Sequence, residues 1–156
     1  MISFKTFILA EAGDNPHSFT KDARDPETED HRHTSTYRFK VGDTNYHASV
    51  IHHSDKDAEV VFGVKRDDIF RSPYELTKDK GTKATRVLST IHHIIKQHVA
   101  DHPEMESVHF VSDIIDPSRV SLYTKYAKNM GGKTTDDERD RYIKVHTIPA
   151  DSYRSE

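Results

Sequence analysis

The sequence predicts an α+β domain: a mixed sheet that begins as an antiparallel meander, with elements in the order β-β-β-α-β-α-β. Three observations carry that prediction. Apolar residues alternate with polar ones in three successive runs between Thr36 and Lys65, separated only by short polar turns. The apolar spacing then lengthens to a helical repeat between Ala84 and about His102. A second helix is announced by Asp116-Pro117, an N-cap residue followed by a residue suited to the first helical position.

Taken in order, residues 2–12 place Phe4, Phe7, Ile8 and Ala12 at helical spacing and predict a short amphipathic helix. Asp14 to His33 is polar, broken by Pro16 and Pro26, and carries Asp14, Asp22, Asp25, Glu27, Glu29 and Asp30, so it reads as irregular or mobile, anchored by Phe19. Thr36–Val41 is a half-buried strand, Gly42-Asp43 a turn, Tyr46–His52 a second strand and Glu59–Lys65 a third. Turns this short join antiparallel neighbours, because a parallel crossover needs a dozen residues or more. Residues 66–81 read as loop, with Pro73 and Gly81 as breakers. In the first long helix Val87, Ile91, Ile94, Ile95 and either His98 or Val99 share a face, and Pro103 marks its end. Ser107–Ser112 is a strand. The helix after Asp116 turns Val120, Tyr123, Tyr126 or Ala127, and Met130 inward, and Gly131 suits its C-terminal position. A charged loop from Lys133 to Arg141 leads to a last strand, Tyr142–Ile148. A strand–helix–strand passage in the middle predicts a right-handed parallel crossover.

Composition bounds the rest. The chain has 156 residues, 33% of them hydrophobic and 31% charged, which suits one domain with a thin core. Residues 1–36 hold four basic and seven acidic residues, whereas the remainder balances at nineteen of each. The division this suggests is an acidic arm over 1–35, a folded domain over 36–150 and a tail over 151–156. No apolar run approaches the roughly 20 residues of a membrane span, and the start lacks the features of a signal peptide. With no cysteine, disulfides, thiolate nucleophiles and cysteine zinc sites are excluded. A net charge of −3 gives no argument for nucleic acid. No Gly-x-Ser-x-Gly elbow or Walker loop is present.

From about Tyr37 to Pro149 the order of elements resembles the GNAT family of N-acetyltransferases. In that family a meander leads to a central strand, and a glycine-bearing loop opens a long helix whose N-terminus holds the pyrophosphate of acetyl-CoA. A further strand and a tyrosine-bearing helix follow. On this resemblance Val60–Lys65 is the central strand, with Val64 beside the cofactor, and Lys80-Gly81-Thr82-Lys83-Ala84 is the loop, continuing through Thr85 and Arg86. Tyr123, within Ser118-Arg119-Val120-Ser121-Leu122-Tyr123, is the family tyrosine. That stretch and Arg86-Val87-Leu88-Ser89-Thr90-Ile91 look like GNAT-like proteins encoded by tailed bacteriophages. The family loop carries Gln or Arg, Gly three residues on, and a small residue two further. Here Lys78, Gly81 and Lys83 stand at those places, with Ala84 one position later.

Physical chemistry gives the same loop a meaning of its own. A helix N-terminus presents unpaired N–H groups that suit an anion, and Lys78, Lys80, Lys83 and Arg86 cluster there against Asp79 alone. The competing reading is a solvated basic turn. Tyr123 is the candidate general acid that protonates the departing thiolate of coenzyme A, yet its helical phase is also that of a packed core tyrosine. Glu59, Asp67, Asp68, Glu75, His47, His52 and His109 are all available as general base, and spacing selects none of them. His31-Arg32-His33, His52-His53 and His92-His93 are the histidine clusters, but adjacent histidines point to different sides and chelate poorly, so no metal is expected.

The resemblance therefore implies acetyl transfer from acetyl-CoA to an amine. The alternative is a non-catalytic protein of the same fold, a phage virion or host-interaction protein whose N-terminal arm docks to another phage or host protein. Neither nucleic acid nor membrane is an expected partner. The expected location is the host cytoplasm, or the virion for a structural component.

Overall fold

The computed structural model of the protein describes residues 19–21, 34–64 and 82–154, with residues 64 and 82–85 described by their backbone only. The chain is α+β, with a mixed seven-stranded sheet and, among the described residues, three helices. In chain order these are β1 (Phe19–Lys21), β2 (Thr34–Val41), β3 (Thr44–His52), β4 (Asp57–Val64), α1 (Thr82–Asp101), β5 (Ser107–Asp113), α2 (Pro117–Asn129), β6 (Lys133–Asp136), β7 (Ile143–Pro149) and α3 (Asp151–Arg154). Across the sheet the strands run β1-β2-β3-β4-β5-β7-β6. The expected helix over 2–12 and loop over 66–81 lie outside the described residues. No described helix is long and apolar enough to cross a membrane.

The meander forms where period-two alternation demands it. Tyr37, Phe39 and Val41 of β2, Tyr46, Ala48 and Val50 of β3, and Ala58, Val60 and Phe62 of β4 are all buried on one face. Gly42 adopts a φ of 61° in the two-residue loop between β2 and β3, a conformation the primed hairpin turns require. Two corrections concern the edges. Part of the segment read as irregular, Phe19–Lys21, is a strand paired with Phe39–Tyr37 of β2, and Phe19 packs edge-on against Tyr37. The charged stretch after Lys133 opens with β6, which pairs with β7 although its four residues are mostly exposed. Its ladder hydrogen bonds, not apolar burial, hold it there.

Helix α1 is buried on more than the expected stripe. Val87, Leu88, Ile91, Ile94, Ile95, His98 and Val99 are buried, and so are Ser89, Thr90 and His92. Helix α2 begins as its sequence requires, with the Asp116 carboxylate accepting from the Arg119 amide at 3.2 Å and Pro117 at its start. It ends before Gly131, whose φ of 76° closes the turn. Its inward face differs by one position from expectation: Arg119 is buried, while Val120 is only half-buried.

Of the residues read as a C-terminal tail, Asp151–Arg154 form α3, which is tied into the core. Tyr153 of α3 is buried and its hydroxyl meets that of Tyr126 at 3.0 Å, which in turn meets Nδ1 of His92 at 2.8 Å. The Arg154 guanidinium donates to the carbonyl oxygens of His102, Pro103 and Met105. This closes the loop after α1. Burial holds the hydroxyls of Tyr126 and Tyr153 well above the ordinary phenol value, so both remain protonated donors.

Candidate functional site

The parallel junction in the middle of the sheet creates the site. Strands β4 and β5 pair over Asp57↔Ser107, Ala58↔Val108 and Glu59↔His109, and the register stops there. Yet β4 continues to Val64 and β5 to Asp113. From Val60 onward the edge of β4 that faces β5 is not paired with it. A cavity of about 200 Å³ occupies this divergence, lined by Glu59, Val60, Val61, Phe62, Phe110, Val111, Arg119 and Tyr123.

Three rings fill the core side of the gap. Phe62 and Phe110 lie 6.2 Å apart edge to face, and the Tyr123 ring is 5.9 Å from each. Each buried aromatic contributes on the order of 1.5–3 kcal/mol through its apolar area alone. Arg119 lies one helical turn before Tyr123 and is held by Asp116, with Nε and Oδ2 3.4 Å apart. Burial holds the Tyr123 hydroxyl well above the ordinary phenol value; the Arg119 charge pulls it down and Asp116 pushes it up. At neutral pH it is therefore a proton donor.

On the other face of the strands, where Glu59, Val61, His109 and Val111 alternate outward, a polar group collects at the foot of the gap. The His109 Nδ1–H donates to Asp57 at 3.1 Å, and the Ser107 hydroxyl donates to the same carboxylate oxygen at 2.9 Å. His53 Nε2 lies 3.3 Å from Glu59. Burial alone would lower His109, but the hydrogen bond and charge of Asp57, together with the charge of Glu59, leave its pKa raised. The His109 hydrogen bond is the main reason that Asp57 titrates below the usual carboxylate value, against the opposing effect of burial.

Of the residues expected at the site, Tyr123 lies in the cavity wall. Arg86, the fifth residue of α1, is exposed at the start of its second turn. The backbone of Thr82, Lys83, Ala84 and Thr85 forms the start of that helix, and Val64 ends β4. Lys78, Lys80 and Gly81 lie outside the described residues. Among the base candidates, Glu59 lines the cavity and His109 stands opposite it in the last register pair, whereas His47 and His52 lie on β3, and Asp67, Asp68 and Glu75 fall outside the described residues.

Sequence reasoning passed over Arg119, which was visible only as the residue one turn before Tyr123. It also passed over a convergence of His52, His98 and His102, whose ring nitrogens come within 4.8 Å of one another. The signal was there in part: His98 and His102 are four apart, one helical turn. No protein-family model matches the chain, and no curated protein matches it.

Proposed function

We propose that the chain is an acyl-CoA-dependent N-acetyltransferase-like protein, moving acetyl from acetyl-CoA to an amine in the gap between β4 and β5. The observation that supports this most is the early end of the β4–β5 register with Tyr123 in the wall of the resulting cavity. An unpaired strand edge offers backbone N–H and C=O groups to the amide-bearing arm of coenzyme A, much as it would to an added strand. The start of α1, with Arg86 beside it, gives a phosphate the N–H donors and positive dipole end that favour an anion.

Bound acetyl-CoA would supply a thioester carbonyl for the amine to attack, with a C–N bond formed and the C–S bond broken. Tyr123 then donates its hydroxyl proton to the departing sulfur. Burial keeps the hydroxyl protonated but makes it a weaker acid, and the Arg119 charge opposes that effect and favours release of the proton to sulfur. Period-two alternation sends Glu59 and His109 to the face opposite Tyr123, so the amine's proton leaves on one side while sulfur gains one on the other. His109, oriented by Asp57, and Glu59 are the two groups placed for that step.

Calorimetric titration with acetyl-CoA tests the reading. Binding is expected in the wild type and in Tyr123→Phe, with turnover of an amine substrate reduced about a hundredfold or more in the variant. No heat at millimolar acetyl-CoA overturns it and leaves the non-catalytic docking protein as the better account.

A further inference from the structure

At the far end of α1, about 24 Å along its axis from the N-terminus at 1.5 Å per residue, a second group of side chains has no part in the proposed acyl transfer. His52 closes β3, His98 lies in the last turn of α1, and His102 follows one turn later. His52 and His98 are buried and His102 is half-buried. The three rings lie together, with centroids 4.9 Å apart for His52–His98, 4.9 Å for His52–His102 and 4.1 Å for His98–His102. We propose that His52, His98 and His102 form a binding site for a divalent transition-metal ion of the zinc type, fastening the C-terminus of α1 to β3.

Four observations converge on this. First, Nε2 of His52 and Nε2 of His98 are 2.7 Å apart. Two ring nitrogens approach so closely only across a proton, and a metal ion replaces that proton with a stronger cation. Tetrahedral ligation at zinc–nitrogen distances of about 2.0–2.1 Å puts ligand nitrogens about 3.3 Å apart, so the pair opens by roughly half an ångström.

Second, outer hydrogen bonds fix the rings. The His102 Nδ1–H donates to the His98 carbonyl oxygen at 2.8 Å, which leaves Nε2 as the basic nitrogen of a neutral ring. The Tyr37 hydroxyl lies 2.8 Å from His98 Nδ1, and its oxygen can accept a hydrogen bond from Nδ1–H when Nε2 turns to the metal. Partners of this kind orient metal-binding histidines. Arg154 donates to the backbone carbonyl of His102 at 3.1 Å, which holds the chain at that residue.

Third, the negative end of the α1 dipole favours a cation at its last turn. Fourth, an all-imidazole donor set with no carboxylate suits zinc, copper or nickel over calcium or magnesium. His98 and His102 are stacked nearly parallel, 18° between planes. Ligation requires the half-buried His102 ring to tilt out of that stack.

A second set, His53, Glu59 and His109, lies at the foot of the gap and serves as the internal control. The full chain, stripped of metal by chelation, is titrated with cobalt(II) and zinc(II). The expected result is one tight site per chain, a visible cobalt absorption of tetrahedral intensity, and a midpoint raised by about 5–10 °C at a hundredfold excess over Kd. His102→Ala, at a half-exposed position, should stay folded and weaken binding about a hundredfold, while Tyr37→Phe weakens it about tenfold. His109→Ala, in the second set, should leave the cobalt and zinc affinity unchanged. The proposal is overturned by the absence of a tight site, by binding that survives His102→Ala, or by binding lost in His109→Ala.

Discussion

Between β2 and β3 eight residue pairs face each other in register, and between β5 and β7 seven; between β4 and β5 there are three. The sheet is thus two antiparallel halves joined by a short parallel seam. Within each half the strands pair along most of their length, and one face of β2, β3 and β4 is buried. Asp57 sits at the seam and binds groups of the other half, Ser107 and His109, while the Lys56 carbonyl accepts from the amides of Glu106 and Ser107. Above that point the strands part over aromatic rings and an open volume. The difference teaches where this fold concentrates its strand pairing and where it leaves an open volume.

That contrast can be broken by substitution, and the largest effect belongs to the closed half. A Cβ on Gly132 would lie 2.1 Å from the Thr147 carbonyl oxygen and 3.1 Å from the Ile148 Cα, both backbone atoms of β7. Gly132→Ala is expected to cost about 3–4 kcal/mol, seen as a lower midpoint in urea unfolding.

Acid gives a somewhat smaller effect in the same half. His146 is fully buried between the hydroxyls of Ser112 and Thr134, and burial lowers its pKa to about 4. The unfolded chain therefore binds a proton near pH 6.5 that the folded chain refuses until about pH 4. Stability conferred by neutral His146 is complete above pH 6.5 and falls between 6.5 and about 4, by roughly 3 kcal/mol at most. His146→Gln should flatten that slope in unfolding curves taken across the range. His109, with its raised pKa, works in the opposite sense: its contribution is present at low pH and lost as pH rises through its folded value.

The smallest effect on stability is expected at the seam. Val111→Phe pushes a larger side chain into the cavity from a half-buried position. Its unfolding free energy should stay within about 1 kcal/mol of the wild type, while acetyl-CoA affinity falls tenfold or more by calorimetry. A loss of stability as large as that of Gly132→Ala would show the gap to be packed core and dissolve the contrast.

Much of this architecture was legible in the residues, for physical reasons that vary by element. Asp116-Pro117 and Gly131 announce their helix because capping chemistry and a positive φ belong to few residue types. The meander was legible because one buried face imposes strict alternation. Strand β6 was not, since Lys133-Thr134-Thr135-Asp136 is held by ladder hydrogen bonds and buries almost nothing. Nor was the burial of Arg119, because charge argues for solvent, whereas in the fold it lies beside the cavity and against Asp116. Tyr123 was found at the cavity, though its phase alone left core and catalytic roles open. The grouping of His52 with His98 depends on a contact 46 residues apart in sequence, which no local spacing reports.

The early parting of β4 and β5 has a consequence for aggregation. Exposed strand edges ordinarily sit at a sheet's margin, where they invite pairing with other copies of the chain. Here the unpaired edge above Glu59 is interior, flanked by β3 on one side and by β5 on the other. An interior edge between two strands of its own sheet gives the margin of a second folded molecule less room to pair than the outer edges of β1 and β6 do. Placing the edge inside the sheet thus keeps its backbone donors and acceptors away from the margin at which sister molecules would pair.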